Sequence, residues 1–125
     1  MKVEALAMKR RSLPEDHPLI AISLGNLAVM YRSQERYDKA EPLCREALAM
    51  RKRSLPAGHP KIGQTLWTLA SLNELKGCHA EALTLFEEAH DIWLAAHGPE
   101  HVDTRSVVDK IEELRQLIGA ETDNE

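Results

Sequence analysis

Apolar residues recur along the chain at helical spacing, separated by short polar breaks. After Pro18, the positions Leu24, Leu27, Ala28 and Tyr31 are three or four residues apart. Such spacing places apolar side chains on one face of an α-helix. Breaks that contain Pro, Gly and charged residues interrupt the pattern several times. The sequence therefore predicts six helices, over residues 2–12, 18–33, 36–53, 60–76, 79–96 and 102–118.

The pattern repeats with a period of 42 residues. Aligning residues 5–46 with 47–88 without a gap gives 17 identities in 42 positions, where chance gives about two or three. A third, incomplete copy begins at Ala89 and fades after His101. Each copy is read as two helices, and small residues let the two helices approach closely; these are Ala28, Ala40, Ala70 and Ala82. Stacked helical units of this kind form a solenoid.

A His-Pro pair precedes the first helix of two copies. Pro18 occupies a first-turn position where proline is tolerated, and Asp16 or His17 is placed to cap the helix. His17, His59 and His101 recur at the repeat period. Recurrence at one structural position indicates a role in helix entry.

Composition narrows the function classes further. Hydrophobic residues make up 43% of the chain and charged residues 29%, with a net charge of −4. We expect no nucleic-acid partner, because no strong basic field exists, although the runs 9–11 and 51–53 are basic. No apolar run is long enough for a membrane span, so no membrane partner is expected. Two unrelated cysteines, Cys44 and Cys78, favour a cytoplasmic protein over a secreted disulfide scaffold.

The residues from His17 to Leu48 resemble a tetratricopeptide repeat. The matching positions include Leu24, Leu27, Ala28, Tyr31 and Ala40. The 42-residue spacing and the loops are similar to the longer variant found in kinesin light chains and nephrocystin-type proteins. The resemblance covers about residues 5–118 and implies an all-α superhelix of about six antiparallel helices that binds proteins.

The resemblance also implies how the chain is organised. Residues 1–118 are expected to form the repeat domain, and 119–125 a frayed acidic tail. Residues 2–12 are read as half a repeat, whose missing cover comes from elsewhere in a longer chain or from a second chain. Glu112 replaces a small buried residue, so 102–118 is expected to be a solvated capping helix. Glu35 replaces the usual turn glycine, which is present as Gly77.

Members of the family bind extended peptides or helices along the concave surface formed by the first helix of each unit. Transferred residue by residue, this groove would contain Ile22, Gly25, Asn26, Val29, Arg32 and Ser33 from the first copy, Gln64, Trp67, Ser71, Glu74 and Leu75 from the second, and Ser106, Asp109 and Glu113 from the third.

Two of these residues allow two interpretations each. Trp67 lies off the apolar stripe and is either a binding anchor or a packed side chain. Gly25 either leaves space for a ligand side chain or permits close helix packing.

An alternative function is self-association. Val3, Leu6 and Met8 would form an uncovered apolar end that a second copy continues, giving a homo-oligomer. The chain could then be a self-associating segment of a larger adaptor protein.

Catalytic and cofactor chemistry is not indicated. His97 and His101 have three residues between them, but Gly98 and Pro99 place them on a loop and not on one helix face, so no metal site is expected. The glycines are isolated and form no phosphate-binding loop. We expect neither an enzyme nor a cofactor.

Overall fold

Six α-helices and no strand make up the described part of the chain. This part comprises residues 2–12 and 17–123 of the computed structural model, with side chains described for 5–10 and 17–121. The helices are α1 (Lys2–Ser12), α2 (Pro18–Ser33), α3 (Tyr37–Ser54), α4 (Pro60–Leu75), α5 (His79–His97) and α6 (Val102–Asp123). The chain divides into two compact units, residues 1–57 and 58–125. The predicted all-α repeat fold is confirmed.

Histidine side chains cap the helices that open the repeats. Nδ1 of His17 accepts a hydrogen bond from the backbone N–H of Leu19, and Nδ1 of His59 accepts one from Lys61, both at 3.1 Å. At the start of α6, Nδ1 of His101 accepts from the N–H of Asp103 at the same distance. The first N–H groups of a helix lack partners within the helix, so each histidine satisfies one of them. The predicted structural role of the periodic histidines is confirmed.

The two helical hairpins turn through the same backbone conformation. The N–H of Arg36 donates to the carbonyl of Tyr31 at 2.9 Å, and the N–H of Cys78 donates to that of Asn73 at 2.8 Å. This turn needs a left-handed residue. Gly77 supplies it with φ 82°, whereas in the first copy Glu35 adopts φ 60°. A side chain in this region is strained, and glycine is not.

The first unit buries apolar side chains from all three of its helices. Its core consists of Leu6 from α1, Ile20, Leu24 and Leu27 from α2, and Ala47 and Met50 from α3. Cys44 of α3 is also buried, and burial raises the pKa of its thiol to about 11. It is therefore a small core residue and not a nucleophile.

The second unit repeats this arrangement with larger side chains. Leu66, Leu69 and Leu72 of α4 and Phe86 of α5 are fully buried. Val107 and Leu114 of α6 join them, while Glu112 is exposed on the outer side of α6. The four alanines predicted to permit close helix approach, two in each unit, have no exposed surface.

Helix α6 is longer than the sequence predicts. The expected frayed tail begins at residue 119, but the helix continues to Asp123, so that expectation is wrong for 119–123; 124–125 lie outside the described residues. Nδ1 of His79, the first residue of α5, lies 2.9 Å from Oε1 of Glu121. This contact holds the last turns of α6 against α5. The other helix boundaries lie within one residue of their predicted positions.

Removing the cap on α4 should lower stability. We expect His59→Ala to reduce the free energy of unfolding by about 1 kcal/mol, because the N–H of Lys61 loses its acceptor. His59→Asn should restore most of this loss, since asparagine is a favourable N-cap. Urea unfolding followed by circular dichroism measures both, with His90→Ala in α5 as the control. Equal losses for the alanine and asparagine variants would show that capping is not the cause.

Relieving the turn at Glu35 should raise stability. We expect Glu35→Gly to increase the free energy of unfolding by about 0.5–1 kcal/mol, because glycine adopts the positive φ without strain. Gly77→Ala should have the opposite effect at the equivalent turn. Thermal unfolding of the pair tests this, and a loss of stability in Glu35→Gly would contradict it.

Candidate functional site

A pocket in the second unit lies among the start of α4, the end of α5 and the start of α6. Its volume is about 420 Å³, within the range of ligand sites in proteins. We call it the tryptophan pocket; its lining residues are Pro60, Lys61, Gln64, Trp67, Trp93, His97, Asp103 and Ser106.

An aromatic cluster forms the apolar part of the pocket. Trp67 meets the ring of Phe86 edge-on, with centroids 5.1 Å apart, and lies 5.9 Å from the ring of Trp93 at a 35° tilt. Trp93 is 6% exposed, and its Nε1 donates to the carbonyl of Pro60 at 3.2 Å. Trp67 keeps an intermediate exposure. It is therefore a packed side chain that keeps part of its surface accessible.

The backbone of Gly63 lies directly against the indole ring of Trp93. A Cβ atom on Gly63 would lie 2.5 Å from Nε1 of Trp93, too close for any side chain. Glycine at this position thus lets the indole reach the carbonyl of Pro60. Gly25 in α2 differs, because nothing lies within 4 Å of a Cβ atom built there. The space next to Gly25 is open within its own unit.

Polar side chains gather where α6 begins. The rings of His97 and His101 stack with centroids 4.2 Å apart and 21° between their planes. With Asp103 they offer three potential ligand atoms within 4.8 Å of one another, although the sequence placed the two histidines on no common face. Stacked rings do not direct their nitrogen lone pairs to one point, and Nδ1 of His101 already accepts the Asp103 N–H. This arrangement is poorly suited to the tetrahedral coordination of zinc.

The structure brings part of the predicted groove into the pocket. Gln64, Trp67 and Ser106 line it. Predicted residues outside its lining are Ser71, Glu74, Leu75, Asp109 and Glu113. Glu74 instead pairs with Lys110 at 3.3 Å.

Several lining residues were not found from the sequence. Trp93 continues the apolar spacing of Phe86 and Ala89 in α5. No pattern in the sequence placed Trp93, Lys61, His97 or Asp103 beside Trp67. The available signal was Trp67, which lies off the apolar stripe of α4.

In the first unit, the predicted groove residues lie along α2. Ile22 and Val29 are exposed by 40% and 41%. Asn26 and Ser33 are exposed, while Gly25 and Arg32 are half-buried. With the exposed Leu19, this side of α2 forms an apolar strip.

The residues proposed for self-association are not equivalent in the structure. Leu6 is 6% exposed and packs in the core of the first unit, so it is covered by its own chain. Met8 is 60% exposed. The side chain of Val3 lies outside the described residues. Leu6 therefore cannot be part of the uncovered apolar end that the sequence predicts.

Comparison with known proteins identifies the class to which this fold belongs. Two models of the tetratricopeptide repeat match consecutive segments, residues 20–61 and 61–118. The chain belongs to the tetratricopeptide-repeat family. Tetratricopeptide repeats are generally protein–protein interaction modules, and their fold is that of a non-catalytic scaffold family.

Solved structures place the fold among kinesin-light-chain-type repeats. The chain matches a Podospora anserina protein of kinesin-light-chain type, built from nearly identical TPR-like repeats, with a TM-score of 0.86 and 22% identity over 94% of this chain. A variant of that protein with one substitution matches equally well, at 21% identity. The chain spans 56% of the length of each. No curated protein matches the sequence.

None of the helices among the described residues is both long and apolar enough to cross a membrane.

Gly25 and Gly63, both within helices, should respond oppositely to alanine. We expect Gly63→Ala to lower the free energy of unfolding by about 1–3 kcal/mol, because the new methyl group displaces Trp93. Gly25→Ala should raise it by about 0.5–1 kcal/mol, since alanine favours the helix and meets open space. Chemical denaturation gives both values. If Gly63→Ala were also stabilising, Trp93 would not depend on this close approach.

Proposed function

We propose that this protein is an interaction module that binds a peptide segment of a partner protein in the tryptophan pocket. The observation that carries the proposal is Trp67, a large aromatic side chain held by Phe86 and Trp93 but still accessible in the pocket. Rigid, partly exposed tryptophans are frequent anchors of protein interfaces. Ser106 and Gln64 add hydrogen-bonding groups beside it.

The remaining predicted groove residues extend this proposal along the same helices. Ser71 and Glu74 follow Gln64 and Trp67 on one face of α4, at helical spacing. Asp109 and Glu113 follow Ser106 in the same way on α6. A peptide longer than the pocket would contact these positions, and Leu75 at the end of α4 is exposed by 53%.

We also propose the exposed strip of α2 as a contact surface for a partner protein. Ile22, Val29 and Leu19 supply its apolar area, while Asn26 and Ser33 supply hydrogen-bonding groups. The proposed setting is the cytoplasm, where the module would act as an adaptor. Affinity is expected to be about micromolar, as for other small interfaces.

Self-association is the second candidate function. Met8 is a large apolar side chain on α1 with 60% of its surface exposed, and this observation favours it. A monomer in light scattering at high protein concentration would remove this candidate. Met8→Glu is the suitable variant, because a charge at Leu6 would disrupt the core of the first unit.

Peptide binding should change the intrinsic fluorescence of the protein. The chain contains two tryptophans, and both line the pocket, so the tryptophan signal reports on this site alone. We would select short peptides without tryptophan from a displayed random library. We expect the selected peptides to change the fluorescence saturably. Ser106→Gln, which places a larger side chain in the pocket, should weaken their affinity by about 10-fold or more.

Thr84→Gln makes a similar change on an exposed face of α5 and should leave affinity unchanged. Its side chain is outside the pocket lining. Peptides that bind both variants as tightly as the wild type would contradict the assignment of the site. A selection that yields no peptide able to change the fluorescence would contradict the proposed function.

A further inference from the structure

The two units carry charges of opposite sign. Residues 1–57 contain eleven Lys and Arg against seven Asp and Glu, a net charge of +4. Residues 58–125 contain five against thirteen, a net charge of −8. The small overall charge of the chain therefore hides a strongly acidic second unit. Its field attracts cations to the tryptophan pocket and repels anions.

Asp103 brings a carboxylate to the pocket itself. Its closest potential cation is His101, whose Nδ1 lies 3.8 Å from Oδ2 of Asp103. That nitrogen accepts the backbone N–H of Asp103, so in this hydrogen bond it carries a lone pair and no proton. His101 therefore donates nothing to the carboxylate through this atom. The negative charge of the Asp103 carboxylate remains available to a ligand in the pocket.

Lys110, farther along α6, is already paired. Nζ of Lys110 lies 3.3 Å from Oε1 of Glu74 and 3.8 Å from Oε2 of Glu113. These two carboxylates surround one ammonium group, and Asp109 adds an exposed carboxylate on the same helix. The faces of α4 and α6 that continue from the pocket thus also have a surplus of negative charge.

The combination of charge and aromatic surface points to a cationic ligand group. We infer that the pocket selects peptide segments that place an arginine side chain against Trp67, with its guanidinium group hydrogen-bonded to Asp103. This inference rests on the proposed peptide-binding function and names the class of peptide. A guanidinium group is planar, stacks on indole rings and donates in pairs to a carboxylate. A carboxylate ligand would meet repulsion from Asp103 and from the acidic unit.

Lys61 provides an internal comparison, because it lines the pocket with the opposite charge. It repels an arginine and would attract an acidic peptide. Removing the two lining charges should therefore have opposite effects on affinity. Neutralising Asp103 should weaken binding of an arginine peptide, whereas neutralising Lys61 should strengthen it. Binding of an acidic peptide would change in the opposite directions.

The test uses matched synthetic peptides with the intact chain. A short, blocked peptide of Gly, Ser and Leu carries at its centre arginine, its neutral analogue citrulline, or glutamate. Binding is followed by tryptophan fluorescence at low salt and at about 0.5 M NaCl, where charge interactions are screened. The variants are Asp103→Asn, Lys61→Gln and Ser106→Gln. Asp91→Asn removes the same charge from an exposed position of α5, outside both the pocket lining and the predicted groove.

We expect the arginine peptide to bind more tightly than the citrulline peptide by about 5- to 10-fold at low salt, and this difference should shrink at high salt. Asp103→Asn should abolish most of the difference, and Lys61→Gln should increase it. Asp91→Asn should change affinity by less than about 2-fold. Ser106→Gln should weaken binding of the arginine peptide. Unfolding curves of each variant establish that it is folded.

Three results would overturn the inference. Tighter binding of the glutamate peptide, weakened by Lys61→Gln, would show the opposite specificity while the proposed function stands. Equal effects of Asp103→Asn and Asp91→Asn would show attraction to the acidic unit as a whole and no specific site. Binding unaffected by Ser106→Gln would place the peptide outside the pocket. If peptides selected from the random library also leave the fluorescence unchanged, the proposed function itself fails.

Discussion

Close approach of two helices at alanine positions is the constraint on which each hairpin depends. The four alanines at these positions, two on the first helices and two on the second, are completely buried. A larger side chain there would push the helices apart, because packed interiors have no spare volume. The leucines beside them, such as Leu24 and Leu66, are then equally buried in both units. The buried positions therefore recur in the sequence at the repeat period, because the helices pack in the same way in both units.

The same constraint leaves other positions free to vary. Gly25, Trp67 and Asp109 occupy one position in the three copies, and Ile22, Gln64 and Ser106 occupy another. None of these six residues is among the fully buried ones. The core positions repeat from copy to copy, so the scaffold is shared. The residues at these two positions differ, so the chemistry of the surface that they form differs from copy to copy. This is the expected property of an interaction module, in which specificity is added to a common fold.

Sequence reasoning recovered what depends on local interactions. The starts of α2 and α4 follow from the His-Pro pairs. The histidine caps and the strained turn at Glu35 are also local features of the backbone. It did not recover the extension of α6 to Asp123, whose last turns contact His79 from a distant part of the chain through Glu121. The tryptophan pocket was missed in part for the same reason. Trp93, His97 and Asp103 come together with Trp67 only through packing of three helices.

The contacts around the pocket hold Trp67 in place and leave part of its ring accessible. Phe86 and Trp93 support two sides of its ring, and Trp93 is itself fixed by the carbonyl of Pro60 and by the absence of a side chain at Gly63. An aromatic side chain held in this way loses little conformational entropy when a ligand binds. The apolar surface can then supply affinity, while the charges of Asp103 and Lys61 decide which ligands are accepted. Anchoring and selection are thus carried by different residues of one small site.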